Sequence, residues 1–402
     1  MDALINSVVM KYTSWTSLLL FVLFINTESA ASQSIIKTLP GYDATLPFTL
    51  ETGYIGVGEA DKKQIFYYFF ESERSPENDP LLLWLTGGPG CSGLCGLAFE
   101  VGPFAFDFST FNGSGLPSLI LRAHSWTKVA NVIFGDLPVG TGFSYATASQ
   151  DYFLSDTISV KDTEIFLRKW LLKHPRFIKN EVYIAGDSYA AKLIPVTVLE
   201  ITKGNEANVK PQISLQGYLI GNPITDKVQD INEQVPFFHH MALISDEYYE
   251  SAKSSCKGEY YKRDPSNAQC LDALELINKG TIAEWKKCRM LRDYEYDVAS
   301  AVPYHEALSK TRYKALVYSG DHDAIVPYLA TLKWVKNLNL TVDDDWRPWM
   351  VNDQVAGYTQ RFKKDAFDLT FATIKGAGHT APEYKPVECL AMVDRWLSSS
   401  PL

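Results

Sequence analysis

The chain has 402 residues, of which 46% are hydrophobic and 13% aromatic, and its formal net charge is −9. That composition excludes an intrinsically disordered chain, which lacks apolar surface to bury, and argues against a nucleic-acid partner, which needs a basic face. The length allows one large core with an inserted segment.

The first feature in chain order is an eight-residue apolar run, 18–25, followed by Ser29, Ala30, Ala31 and Ser32. With Lys11 upstream this fits a secretory leader cut near Ala31, and the run is too short to span a bilayer. Residues 1–31 are expected to be a signal peptide, an uncleaved anchor being the other reading. Residues 32–402 are then the mature chain, in a vacuole or outside the cell, with no membrane attachment.

Residues 54–56 and 64–70 read as hairpin strands at one edge of a sheet. Strand-like apolar runs follow at 81–85, 132–134, 182–185, 215–220, 315–319 and 369–374. Between them, 157–173 carries apolar residues at helical spacing and is closed by His174-Pro175. A last helix is expected over 387–397. Strands alternating with helices imply a mostly parallel sheet covered on both faces. The alternation breaks over about 225–300, a polar, helix-prone stretch expected to be a cap inserted over the site.

Three strand ends carry chemistry. Gly186-Asp187-Ser188-Tyr189-Ala190 directly follows the run 182–185. Small residues around a Ser between strand and helix are the sequence form of a nucleophile elbow. Asp323 follows the strand-like run 315–319, and His379 follows 369–374. The order Ser, Asp, His is that of α/β-hydrolase triads, and parallel sheets place sites at the carboxyl ends of their strands. Asp321 competes for the acid role, but Asp323 fits a D-x-x-V-P pattern better. A fourth piece is the Gly-rich turn Thr86-Gly87-Gly88-Pro89-Gly90-Cys91-Ser92 after strand 81–85, which can aim backbone N–H groups at an oxyanion.

These segments carry a family resemblance. Trp84-Leu85-Thr86-Gly87-Gly88-Pro89-Gly90-Cys91-Ser92 resembles the W-L-x-G-G-P-G-C-S signature of serine carboxypeptidases, and residues 131–145 resemble that family's second signature. The resemblance implies an α/β-hydrolase fold and a serine-type enzyme with Ser188, Asp323 and His379 as triad. It places the oxyanion against the N–H groups of Gly88 and Tyr189. Thr86, Gly87, Glu100 and Asp187 match the positions that bind a peptide's terminal carboxylate. Read without the resemblance, Glu100 is a solvated loop acid. Thr86 stands where peptidases usually have Asn, and Asp187 where they have Glu. These, with the segments 344–358 and 378–386, resemble the plant acyltransferase branch. That branch moves an acyl group from a 1-O-glucose ester to an alcohol or amine. The partners implied are such a donor and acceptor, or a peptide C-terminus in a carboxypeptidase, with no cofactor.

The cysteines are Cys91, Cys95, Cys256, Cys270, Cys288 and Cys389, and spacing alone allows fifteen pairings. The resemblance implies Cys91–Cys288 and Cys256–Cys270, leaving Cys95 and Cys389. Asn112 and Asn339 head glycosylation sequons. His239-His240 looks like a metal pair, but adjacent residues point to different faces, and no cysteine spacing suggests zinc, so no metal is expected. His322 is expected to shape the loop of the triad acid. Two departures bear on activity. Ala191 and Lys192 follow the elbow where a Gly is usual first, and the cap is several tens of residues short near residues 276–280. A catalytically impaired homologue is therefore a third reading.

Overall fold

The computed structural model describes residues 33–109, 111, 113–278 and 294–402. The expected leader, residues 1–31, together with Asn112 and Cys288, lies outside the described residues.

The chain opens with three antiparallel strands, β1 (Gln33–Ile36), β2 (Leu50–Val57) and β3 (Lys63–Phe70). The buried β4 (Leu81–Leu85) and β5 (Asn131–Gly135) follow. Helix α1 (Asp156–Lys173) starts at Ser155, whose side chain accepts the Ile158 N–H, and stops before Pro175. Next come β6 (Val182–Asp187), α2 (Ala190–Glu206) and β7 (Leu215–Gly221). Four helices follow: α3 (Lys227–Asn232), α4 (Gln234–His240), α5 (Asp246–Cys256) and α6 (Ala268–Asn278). The chain returns with β8 (Lys314–Gly320) and α7 (Tyr328–Asn337), then the hairpin β9 (Thr341–Val351) and β10 (Gln354–Lys364). It ends with β11 (Phe367–Ile374) and α8 (Pro386–Leu397).

The sheet order is β1-β2-β3-β5-β4-β6-β7-β8-β11-β10-β9, with a short twelfth strand, Tyr145–Ala146, on β3. The centre, from β5 to β11, is parallel, and both flanks are antiparallel. The central strands are buried on both faces and read as unbroken apolar runs for that reason. One core cluster packs α1 and α2 on one face, around Trp170, Leu167, Ile184 and Ile194. A second packs α8 on the other, around Trp84, Trp126, Met392 and Trp396.

The edge lies one strand further out than the sequence indicates, at β1. The β9–β10 hairpin is an addition: β9 is largely exposed and β10 buries polar residues such as Thr359 and Gln360, so neither carries a continuous apolar run. The segment 225–300 does leave the sheet. Among the described residues its helices hold a separate small core of Val235, Ala252, Tyr260, Leu274 and Ile277. Its two stems meet: Asp226 bridges to Ser300, and Ala301 N–H donates to Thr225 C=O at 2.9 Å. An excursion closed at its base can change length without moving the strands it springs from.

Candidate active site

Ser188 sits between β6 and α2 with φ at +52°, the left-handed value an elbow demands. The crossing is tight. A Cβ at Gly186 would lie 2.1 Å from Leu85 O on β4, so only glycine fits there. The elbow backbone is held on both sides of the Ser: Ser188 N–H donates to Gly221 C=O at 3.0 Å, and Ile224 N–H to Ser188 C=O at 3.1 Å.

The loops after β8 and β11 deliver the other two groups. His379 Nε2 lies 2.8 Å from Ser188 Oγ, and His379 Nδ1 2.8 Å from Asp323 Oδ2. A carboxylate only accepts, so Nδ1 carries the proton and Nε2 is left to accept from the Ser hydroxyl. The Asp323 side chain is fully buried. Its Oδ1 receives the N–H groups of Ile325 and Val326 at 2.9 and 3.1 Å. Its Oδ2 also receives Asn222 Nδ2 at 2.8 Å. Asp321 is elsewhere; its carboxylate accepts Gly376 N–H at 2.7 Å and pins the start of the His loop. His322 is largely exposed, and its N–H ties to Ala377 C=O at 2.9 Å, linking the Asp and His loops.

The Gly-rich turn lies against the elbow. A Cβ at Gly87 would fall 2.7 Å from Ser188 Cβ and 2.9 Å from Tyr189 N. Gly88 has φ at +117°, and a Cβ there would lie 2.9 Å from Cys91 N and Sγ. The turn is fastened by Asp136, whose Oδ1 accepts the Ser92 hydroxyl at 2.6 Å and Gly93 N–H at 2.8 Å. Its Oδ2 accepts Phe143 N–H at 2.8 Å. Burial pushes this carboxyl above its ordinary value, and the three donors pull it back.

Tyr189 is anchored through its side chain. Its hydroxyl donates to Asp156 Oδ1 at 2.7 Å, which also receives Tyr294 OH at 2.8 Å; Val298 N–H donates to Asp156 Oδ2 at 2.9 Å. This carboxylate joins the elbow, the start of α1 and the returning stem of the excursion. Lys192 is buried with its ammonium 5.2 Å from the Tyr189 ring centre. Burial lowers its pKa, against the pull of Asp156 and Asp230. Burial raises Asp230 to about 7. Ala191 is fully enclosed in the core beside α1.

Glu100, open to reading as a solvated loop acid, is buried, as are Thr86 and Asp187. Asp187 Oδ1 accepts Gly87 N–H at 3.3 Å. Burial, then Cys389, Asp187 and Glu100, raise the pKa of the fully buried Tyr318 phenol. Thr86 Oγ1 is buried without a hydrogen-bond partner among the described residues.

Cys256 and Cys270 form a disulfide, and Cys91 is disulfide-bonded; Cys288, its implied partner, is outside the described residues. Cys389 is a fully buried thiol under the sheet. Asn339 is exposed in the turn after α7. His239 pairs with Asp246 at 2.7 Å and stacks on Tyr249, and no group of three potential metal ligands occurs among the described residues. No helix among them is long and apolar enough to cross a membrane.

Sequence reasoning missed Asn222, Asp136 and Asp156. Asn222 had a signal, a polar residue at the carboxyl end of a buried strand and before a Pro. Asp156 had none, because its partners are 33 to 142 residues away.

Comparison with known proteins bears on the family and the fold. The profile described as serine carboxypeptidase matches residues 40–283 and 273–399, the two pieces meeting where the sequence reading placed the shortened stretch. Serine carboxypeptidase-like 17 of Arabidopsis thaliana is 46% identical over 437 aligned positions, covering 97% of this chain and 99% of the relative. Serine carboxypeptidase-like 2 of the same plant is 46% identical over 432 positions, covering 96% and 97%. A prohormone-processing carboxypeptidase from Saccharomyces cerevisiae shares the fold at a TM-score of 0.72 and 19% identity, covering 88% of this chain and 92% of its own.

Proposed function

The chain belongs to the serine carboxypeptidase family, and on that premise we propose that it is an acyltransferase working through an acyl-Ser188 intermediate. The observation that carries the chemistry is the unbroken line of hydrogen bonds from Ser188 Oγ through His379 to Asp323. Ser188 Oγ attacks the carbonyl of a 1-O-acyl glucose ester, and its proton passes to His379 Nε2. Asp323 holds the imidazole in the required tautomer and stabilises the imidazolium. The developing oxyanion lies against the N–H groups of Gly88 and Tyr189, at the positive end of α2. His379 then gives its proton to the departing glucose hydroxyl. An acceptor alcohol or amine, deprotonated by His379, takes the acyl group from Ser188. No cofactor enters these steps.

Transfer is favoured over peptide hydrolysis by Thr86 and Asp187, which stand where peptidases have Asn and Glu. A peptide carboxylate would have to meet two buried acids, Glu100 and Asp187, so a proton must be shared. The carboxypeptidase reading keeps one support, since both acids are present and both are buried. An impaired enzyme is disfavoured by the assembled triad and by the closed stems of the excursion. A disulfide at Cys256–Cys270 and an exposed sequon at Asn339 support passage through the secretory pathway.

The test is to incubate the purified glycoprotein with a 1-O-acyl glucose ester and an alcohol, and separately with an N-blocked dipeptide. Ester transfer that disappears in Ser188→Ala is the expected result. Release of the terminal amino acid without transfer would replace this reading by the carboxypeptidase one. A fluorophosphonate that leaves folded protein unlabelled at Ser188 would sink both.

A further inference from the structure

We infer that Asn222 is a positioning residue for the triad, its side-chain amide orienting the Asp323 carboxylate and the His379 loop together. The inference rests on the acyl-serine chemistry proposed above.

Asn222 is 1% exposed and lies immediately after β7, at the carboxyl end of the sheet. Its φ is +46°, a left-handed value that Asn tolerates better than most residues. Its N–H donates to Tyr318 C=O at 2.8 Å, one strand over, so the backbone is fixed where the side chain must start. Two residues on, Ile224 N–H holds the Ser188 carbonyl. The same short segment therefore touches the nucleophile through its backbone and the acid through its side chain. An unusual φ held by surrounding bonds is a feature that marks functional positions.

The amide carries two protons, and each has an acceptor. One goes to Asp323 Oδ2 at 2.8 Å and the other to Gly378 C=O at 3.3 Å, the residue before His379. A carboxylate offers about four lone-pair directions. At Asp323 these are filled by Ile325 and Val326 N–H on Oδ1, and by His379 Nδ1–H and Asn222 on Oδ2. The carboxylate cannot turn toward or away from the imidazole without breaking Asn222's bond. Without that amide, Oδ2 is held by His379 alone, and Gly378 C=O, beside His379, loses its side-chain donor.

Two variants separate orientation from folding. In Asn222→Gly the left-handed backbone is kept at no steric cost, and only the amide is lost. In Asn222→Asp the shape is kept, but the new carboxyl can donate only while it holds a proton. Two carboxylates in contact cannot both ionise freely, so at acidic pH the pair shares one proton that plays the amide's part.

The experiment measures the rate of Ser188 phosphonylation by a fluorophosphonate across pH, together with the far-downfield proton resonance of His379 Nδ1–H, which needs no turnover. Asn222→Gly is expected to slow labelling roughly 10- to 100-fold, by analogy with the loss of a group that orients a metal-ligating histidine, with apparent reagent binding unchanged, and to broaden the resonance. Asn222→Asp is expected to label near the wild-type rate at acidic pH and to lose that rate as pH rises, a descending limb absent from the wild type. Wild-type labelling and resonance in Asn222→Gly would overturn the inference, as would a pH-independent loss in Asn222→Asp equal to that of Asn222→Gly. A resonance that depends on Asn222 in protein whose Ser188 never reacts would uphold this assignment and refute the chemistry on which the proposed function rests.

Discussion

The contact between the Gly-rich turn and the elbow makes Gly87→Ala the sharpest test of the site. The φ of Gly87 is outside the left-handed region, so alanine meets no backbone penalty there. The obstacle is space. The added methyl would sit 2.7 Å from Ser188 Cβ, 2.9 Å from Tyr189 N and 3.0 Å from Asp187 O. Carbon atoms settle at about 3.5–4.0 Å, so turn and elbow must part by about 1 Å. The strands behind them cannot absorb the shift, because β4 and β6 are paired in parallel register up to Leu85 and Gly186. A misplacement of about 1 Å costs about 100-fold in rate, and losing one oxyanion donor costs about 100- to 1,000-fold. The second-order rate constant for fluorophosphonate labelling of Ser188 is therefore expected to fall at least about 100-fold. Overpacking should cost about 1–3 kcal/mol of stability, which lowers Tm by about 1–4 °C in a chain of this size. The assay pairs labelling kinetics with thermal unfolding. A variant that unfolds like the wild type and labels within about threefold of its rate would refute the reasoning, because the turn would then not bear on the elbow.

Two further outcomes follow from the buried charges. Asp156→Ala leaves Tyr189 OH, Tyr294 OH and Val298 N–H without their acceptor. Buried donors left unpaired cost about 1–3 kcal/mol each, so calorimetry should show Tm lowered by about 4–10 °C in a chain of this size; an unchanged Tm would discard the anchoring role of Asp156. Asp230, raised from 3.8 to about 7 by burial, holds a proton in the folded chain over a range where the unfolded chain has lost it. Its contribution to stability is complete below about pH 4 and is lost as pH rises toward 7. His305, pushed down to about 3 by complete burial, works the other way, its contribution being lost as pH falls from 6.5 toward 3. Comparing Asp230→Asn with the wild type cancels the His305 part: the variant should gain Tm relative to wild type at neutral pH and not at pH 4, and equal differences at both would refute the assignment.

The sequence by itself determined the alternation of strands and helices, since the central strands are buried on both faces and had to be apolar throughout. It also determined the order and the strand-end placement of Ser188, Asp323 and His379, because an elbow, a D-x-x-V-P loop and a Gly-rich turn are each local patterns. Glycines 87, 88 and 186 were legible for the same reason, being demanded by turns and close approaches. The hairpin β9–β10 was not, because β9 is largely exposed and β10 buries polar as well as apolar residues, so neither leaves an apolar run. Nor were the groups that hold the site in register. Asn222, Asp136 and Asp156 act on residues many tens of positions away, and a side chain with polar partners brought from several loops leaves no periodic trace along the chain. Whether Glu100 is solvated and how the stems of the excursion close are decided by the tertiary structure alone, because only the folded chain buries that loop and brings residues 225–226 and 300–301 within hydrogen-bonding distance.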